Sequence, residues 1–254
     1  MYEILKPIYK ILIPKKLQFR IEPIVRRLIY YLFYKGEEIK CSVCFGKSKK
    51  FIDITFFNSI DKICAKCGSL SRSRALALFI EKKFSYKNQK ILDFSPHRSL
   101  YEFFKSKFKY YEASDYKNQF YAPKKIDITS VSEINNTYDL IICFHILEHI
   151  LDDKKALEEL LRVLKNNGDL LIQVPLKKGG TYQDNSITSK DERLKAFGQE
   201  DHVRVYGEES ILELLNESGF EVEIIDIVED YEDKILYGLS EKEIIFWCRK
   251  SKYF

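Results

Sequence analysis

The chain has 254 residues, 45% of them hydrophobic and 31% charged, enough for one full α/β domain plus a small module. These are the proportions of a globular chain, and no internal repeat or low-complexity tract argues for a solenoid or a disordered tail. The net charge of +4 hides an asymmetry: residues 1–90 hold 20 Lys/Arg against 7 Asp/Glu, a balance of +13, while residues 91–254 hold 22 against 31, a balance of −9. A basic N-terminal third suits an anionic partner (lipid headgroup, nucleic acid or phosphorylated substrate) or a plain solvated surface.

Residues 1–40 are expected to form basic amphipathic helices interrupted by Pro7, Pro14 and Pro23. Ile24, Leu28, Tyr31 and Leu32 share one face, with Arg26 and Arg27 off it. The longest clean apolar run, residues 28–34, is far short of the roughly 20 residues a membrane span needs. With no signal-peptide pattern at the start, the chain is expected to be cytoplasmic, with its cysteines reduced unless they hold metal. The basic stretch fits peripheral contact with the inner membrane surface, or packing on its own domain or a second subunit.

Cys41-Ser-Val-Cys44 is followed, after 19 residues, by Cys64-Ala-Lys-Cys67. Two such knuckles complete a tetrahedral shell of four thiolates, so residues 41–70 are expected to be a zinc-ribbon-like module holding a structural zinc. The alternatives are four unliganded buried cysteines or a redox pair. Residues 51–57 would supply a strand. Residues 69–83 follow as a helix with Leu76, Phe79 and Ile80 inward. Arg72 and Arg74 near its start either grip an anion or face water.

From residue 90 strands and helices alternate. Strands are expected at 90–94, 110–114, 126–128, 139–144, 169–175, 221–227 and 243–249. Helices are expected at 99–107, from Asp152-Asp153 to Leu164 with Gly168 as stop, and at 208–217. Seven strands with interleaved helices predict a doubly wound, mostly parallel Rossmann-like sheet over residues 71–254. The polar insertion 176–206, opening with Gly179-Gly180, reads as a lid or substrate segment.

Three acids fall at strand ends. Asp93 ends the first strand; Asp115, 22 positions later, ends the second, at the offset where an acid accepts from ribose hydroxyls. Asp127 ends the third and suits an adenine amino group. The fourth strand then runs into His145-Ile-Leu-Glu148-His149, at the sheet edge where ligands sit in open α/β folds.

With Ile91-Leu-Asp-Phe-Ser-Pro-His97, Asp115, Asp127, residues 138–150, residues 156–168 and Leu171-Ile-Gln-Val-Pro175, the chain resembles a class I S-adenosylmethionine-dependent methyltransferase over roughly residues 69–250. Within that superfamily it resembles a bacterial group with an N-terminal four-cysteine module and the run Phe197-Gly-Gln-Glu-Asp-His-Val-Arg-Val-Tyr-Gly207, often linked to cell-surface glycan pathways. The resemblance implies S-adenosylmethionine as cofactor, held by Asp93, Phe94, Ser95, Pro96, His97, Asp115, Asp127, Ile128, Phe144 and His145. One departure stands out: the loop 95–99 lacks the family's glycines. Either it takes another tight shape, with Ser95 and His97 replacing backbone contacts, or the cofactor site is degenerate. A dehydrogenase is disfavoured, because a pyrophosphate needs those glycines more.

An oxygen acceptor must lose a proton during methyl transfer, so a base is useful. His202 is the expected base, with Asp201 or Glu200 orienting it, and His145 is expected beside the sulfonium with His149 close by. A second arrangement puts His145, Glu148, His149 and His202 around a catalytic divalent metal, the first three at i, i+3 and i+4 of a helical turn. The expected activity is O-methylation of a sugar, phosphosugar or related surface-glycan precursor. RNA methylation is the alternative, disfavoured because few aromatics interleave with the basic residues; a degenerate binding module is the third reading. The sequence carries no signal for oligomeric state.

Overall fold

The computed structural model describes residues 15–56, 59–84, 88–116 and 122–252. Residues 1–14 of the expected helical stretch, and residue 57 of the expected strand, lie outside them. The chain divides into two units: Met1–Phe84 with Ile227–Glu243, and Ser85–Asp226 with Ile244–Phe254.

In the first unit α1 (Lys15–Ile29) runs through Pro23 and widens into a π turn at Tyr30–Tyr34. Residues 35–40, read from sequence as helical, instead form β1 (Lys35–Lys40), antiparallel to β2 (Lys47–Ser48). Gly36 is a poor helix residue, and Tyr30 reaches across to donate its hydroxyl to the Lys47 carbonyl at 2.6 Å, which seats the strand pair on the helix end. A hairpin follows, β3 (Ile52–Phe56) against β4 (Ser59–Ile63). Its inward side chains Ile52, Ile54 and Ile63 join Tyr30, Ala65 and Leu70 in a small core. Asp61 in β4 accepts from the Ser71 hydroxyl and amide at 2.6 and 3.2 Å, and there α2 (Ser71–Lys83) begins.

Arg74 neither grips an anion nor faces water. It is fully buried, lies 4.1 Å over the Phe51 ring, and donates to the carbonyls of Ser69, Lys62, Tyr237 and Gly238. The last two belong to the segment 227–243, which the sequence assigns to the sheet domain and the fold to the first unit.

The second unit carries the main sheet. Its elements are β5 (Lys90–Phe94), α3 (Arg98–Lys107), β6 (Tyr110–Ser114), β7 (Tyr138–Phe144), α4 (Asp153–Val163), β8 (Leu164–Gln173), β9 (Leu176–Lys177), β10 (Tyr182–Gln183), α5 (Lys190–Phe197), β11 (Arg204–Gly207), α6 (Glu208–Glu217), β12 (Phe220–Asp226) and β13 (Ile244–Lys250). Six strands lie in the order β12-β13-β8-β7-β5-β6, where the sequence predicted seven. The expected strand at 126–128 does not form. Ile126 is held instead by the Ser114 hydroxyl, which accepts from its amide at 2.9 Å, and Asp127 folds into a turn with Thr129.

The pairs β5·β6, β5·β7 and β7·β8 are parallel; β13 is antiparallel to β8 and to β12. Leu92, Ile141, Leu170 and Ile172 are fully buried in the core of this sheet, each worth about 1.5–3 kcal/mol relative to exposure. Strand order reverses between β5 and β7, the switch point at whose carboxyl edge open α/β sheets bind ligands.

In the insertion, β11 pairs antiparallel with β10 and parallel with β9. A Cβ on Gly207 would run into the Gly179 carbonyl, so the double-glycine segment lies directly on β11.

Candidate active site

The switch-point edge is built from three strand tips. At the end of β5 the chain turns through Ser95, whose φ of +52° is left-handed, and the Ser95 amide donates to the Ser114 carbonyl at the end of β6. This loop takes its tight shape without glycine. His97 ends the turn as N-cap of α3: its Nδ1 lies 2.8 Å from the Ser99 hydroxyl and accepts from the Ser99 amide at 3.4 Å. That ring is committed to the helix start. Pro96 and Phe94 are buried against the sheet.

Asp93 is buried, and its carboxyl accepts from the Tyr111 hydroxyl on β6 at 2.7 Å. Burial raises its pKa to about 7, with the Tyr111 bond partly opposing the rise. Asp115 is buried just past β6, with its amide on the Lys124 carbonyl. Asp127 sits one turn on, half-buried, its Oδ1 accepting from the amide and hydroxyl of Thr129 at 2.9 and 2.8 Å. Next to it Ile128 is buried in the core. The two bonds of Ser114, to Ser95 and to Ile126, thus bring the three acid-bearing segments to one edge.

The third tip follows β7. Phe144 is half-buried, and His145 takes the second left-handed turn, φ +55°, with its amide on the Gln173 carbonyl of β8. Leu147–His149 is a single 3-10 turn, so the expected helical face of His145, Glu148 and His149 is not formed. Glu148 points inward instead: it is 1% exposed, and its Oε1 lies 3.2 Å from Nδ1 of His145, whose ring is 29% exposed. Glu148 Oε2 is buried without a hydrogen-bond partner.

His202 comes from the insertion, tied by the Val203 amide to the Glu148 carbonyl at 2.9 Å. It is 3% exposed, with Nδ1 3.3 Å from the Phe197 carbonyl and its ring edge-on to His149 at 4.6 Å. Burial, and then the neighbouring His149, lower its pKa, so the ring is neutral near pH 7. Asp201, expected to orient His202, lies on His149: both its carbonyl (3.2 Å) and its carboxylate (3.3 Å) face the His149 Nδ1. Glu200, the other expected partner, is exposed and pairs with Lys190 at 3.8 Å. Glu148, His149 and His202 bring ligand atoms within 4.8 Å of one another; His145 is not in that group.

Sequence reasoning missed Arg204. It is fully buried and clamps the loop after β7, donating to the carbonyls of Ile150 (2.6 Å) and Leu151 (2.8 Å) and pairing with Asp153 Oδ2 (2.9 Å). The only signal was a charged residue in an otherwise apolar Val-Arg-Val-Tyr run.

In the first unit the four expected cysteines do meet. The Sγ atoms of Cys41 and Cys67 are 3.7 Å apart, and those of Cys44 and Cys64 3.8 Å. A tetrahedral zinc with Zn–S near 2.3 Å needs sulfur–sulfur edges of about 3.8 Å, so the group could hold one.

The profile of a family described as a methyltransferase domain matches residues 71–224. An uncharacterized protein of Methanocaldococcus jannaschii is 39% identical over 67 residues, 25% of this chain; the chain spans 29% of that curated relative. Among solved structures the (4+2)-cyclase SpnF shares the fold, with TM-score 0.50 at 15% identity over 70% of this chain and 81% of that one. A Burkholderia thailandensis 1,6-didemethyltoxoflavin-N1-methyltransferase gives TM-score 0.48 at 14% identity, over 72% and 79% of the two chains. Haemonchus contortus phosphoethanolamine N-methyltransferase 2 gives TM-score 0.48 at 16%, over 70% and 52%.

Proposed function

The chain belongs to the methyltransferase-domain family, and from that premise we propose that it is an S-adenosylmethionine-dependent methyltransferase whose acceptor is an oxygen of a sugar, phosphosugar or related surface-glycan precursor. The observation that carries this reading is the His145–Glu148 pair at the tip of β7: a half-exposed imidazole whose Nδ1 is held on a buried carboxylate. An oxygen acceptor has a proton to lose, and such a pair is suited to take it.

We assign Asp115 and Asp127 to the cofactor's hydroxyl and amino donors, and Ser95, Ile128 and Phe144 to the walls. The bound cofactor supplies an electrophilic methyl group on a sulfonium. The chain's own part is to align the acceptor, exclude water and accept the hydroxyl proton on His145 Nε2 as the carbon–oxygen bond forms and the methyl carbon–sulfur bond breaks, the sulfur leaving as a neutral thioether. His202, nearly sealed from solvent and weakened as a base, takes the inner position rather than the base role first expected of it.

The same reading gives the four cysteines a structural zinc. It places the protein in the cytoplasm, at the membrane surface. The exposed apolar side chains Ile24, Leu28, Tyr31, Leu32 and Phe33 on the N-terminal helix and its turn, interleaved with Arg27 and Lys35, support contact with anionic lipid. No helix among the described residues is long and apolar enough to cross a membrane.

Because a cyclase shares this fold, the reaction has to be tested at the site itself. The deciding experiment incubates the protein with methyl-labelled S-adenosylmethionine and nucleotide-sugar, phosphosugar and lipid-linked glycan precursors, and reads transfer by mass spectrometry. His145→Ala should lower turnover about 10²–10⁴-fold while calorimetry shows unchanged cofactor affinity. Turnover within a few-fold of wild type would remove His145 as the base. Salt-sensitive RNA binding with methyl transfer to ribose would replace the acceptor.

A further inference from the structure

We propose that Glu148, His149 and His202 form a binding site for a divalent transition-metal ion that favours nitrogen and oxygen ligands. Their ligand atoms converge within 4.8 Å of one another, close enough for one ion to reach all three. Convergence alone would be weak grounds; two further features point the same way.

The first is the orphaned carboxylate oxygen. Glu148 is 1% exposed, Oε1 is taken up by His145, and Oε2 has no hydrogen-bond partner among the described residues. A buried carboxylate oxygen left without a donor costs roughly 1–3 kcal/mol or more, and a cation against it removes that cost.

The second is how the two rings are held. His149 Nδ1 faces the carbonyl and carboxylate of Asp201, and His202 Nδ1 faces the Phe197 carbonyl. In both arrangements Nδ1 faces acceptors, which makes Nε2 the ring nitrogen available to an ion. Metal-ligating histidines are fixed in this way, by an outer acceptor on the other ring nitrogen. The rings meet edge-on at 4.6 Å, and the Val203 amide bonded to the Glu148 carbonyl keeps the two chain segments in register. Two imidazoles and one carboxylate, with positions left open, suit zinc, iron, cobalt or manganese and are poor for calcium or magnesium.

The binding site stands independently of the acceptor. Its use in catalysis rests on the O-methylation reading: the ion's open positions would take the acceptor hydroxyl, whose proton His145, bonded to the same Glu148, would receive.

The test uses the full chain, reduced and with the four-cysteine group loaded with zinc. Cobalt(II) is titrated while its absorption spectrum is followed. Wild type should bind one equivalent at the second site without thiolate charge-transfer bands, since no sulfur is a ligand there. Glu148→Gln and His149→Gln, which keep volume and polarity, should each weaken that equivalent about 100-fold or more. Asp201→Asn, acting through His149, should weaken it about 10–100-fold. Circular dichroism confirms that each variant is folded. A folded wild type that takes up no second equivalent, or one that all three variants leave unchanged, overturns the site. Binding with normal metal response but no methyl transfer to any hydroxyl would leave the site and remove the O-methylation reading.

Discussion

Arg204→Met removes a buried guanidinium while keeping most of its stem. Three of its bonds are short and directed: to Ile150 O at 2.6 Å, Leu151 O at 2.8 Å and Gln183 Oε1 at 2.8 Å, with Asp153 paired at 2.9 Å. Breaking a buried pair from one side costs about 3–5 kcal/mol, because the partner is left uncompensated. Here Asp153 keeps the Tyr206 hydroxyl at 2.7 Å, which limits the loss to the lower end, about 3 kcal/mol. At about 2–4 °C per kcal/mol for a domain this large, the sheet unit should melt about 6–12 °C lower. Arg204→Lys restores the charge but not the fork that spans two carbonyls, so it should recover only part of that loss. The second readout is hydrogen exchange: amides of 147–151 should lose protection before the strands do. A melting temperature within about 2 °C of wild type, with unchanged exchange in 147–151, would refute the view that Arg204 holds the loop carrying Glu148 and His149.

Asp93 gives a pH dependence of the reverse sign to most carboxylates. Its native pKa of about 7 lies above the unfolded value near 4, so the native state holds the proton more tightly; the contribution is full below about pH 4 and is lost as pH rises to about 7. Three pKa units correspond to a change on the order of 4 kcal/mol, and Asp93→Asn should flatten denaturant midpoints across that window; parallel curves for variant and wild type would refute it. Removal of metal by a strong chelator under reducing conditions should unfold the 41–70 module together with its hairpin, seen as loss of hairpin amide protection, and native mass spectrometry should show at least one zinc per chain beforehand, retained in the Glu148→Gln variant. Retained protection in the metal-free protein would mean that the core of Tyr30, Ile52, Ile54, Ile63, Ala65 and Leu70 suffices without zinc.

Features that rest on local pattern were legible in the sequence. The helix Glu208–Glu217 and the strands Lys90–Phe94 and Tyr110–Ser114 have the bounds their periodicity predicts, and the paired Cys-x-x-Cys knuckles do converge. Features that depend on backbone carbonyls or distant segments were not. Arg74 and Arg204 are satisfied largely by carbonyls, which every residue carries alike, so no side-chain pattern announces their burial. Leu164 reads as the last inward position of a helix stopped by Gly168, with a strand from Asp169, yet β8 already starts at Leu164 because Leu164 pairs with Tyr138; the register then slips before Leu140 meets Asp169. Asp127 looked like a strand-tip acid because Lys124-Lys125-Ile126 precedes it. The Ser114 hydroxyl competes for the Ile126 amide and a turn results. At the site itself the histidines are legible as a group, but their pairing is not: Asp201 lies on His149, and Glu148 turns inward onto His145.

Two of the left-handed non-glycine residues, at the switch-point edge, bear on whether the glycine-free loop is a defect. Ser95 and His145 close β5 and β7, the neighbouring strands on either side of the switch point, and each carries φ above +50°. A non-glycine residue there costs on the order of 1–2 kcal/mol, and glycine would relieve it at once. Both turns are locked by a backbone bond to the next strand, Ser95 to Ser114 and His145 to Gln173, so the conformation is imposed by the sheet and does not depend on the side chain. The strained positions therefore hold a hydroxyl and an imidazole where the fold would more stably hold glycine. Strain retained at a ligand-binding edge, with polar side chains kept in place of the residue that would remove it, is what a functional site shows. We propose that the left-handed Ser95 gives this loop the tight approach for which the resemblance implies glycine, with His145 turned by the same backbone device one strand away.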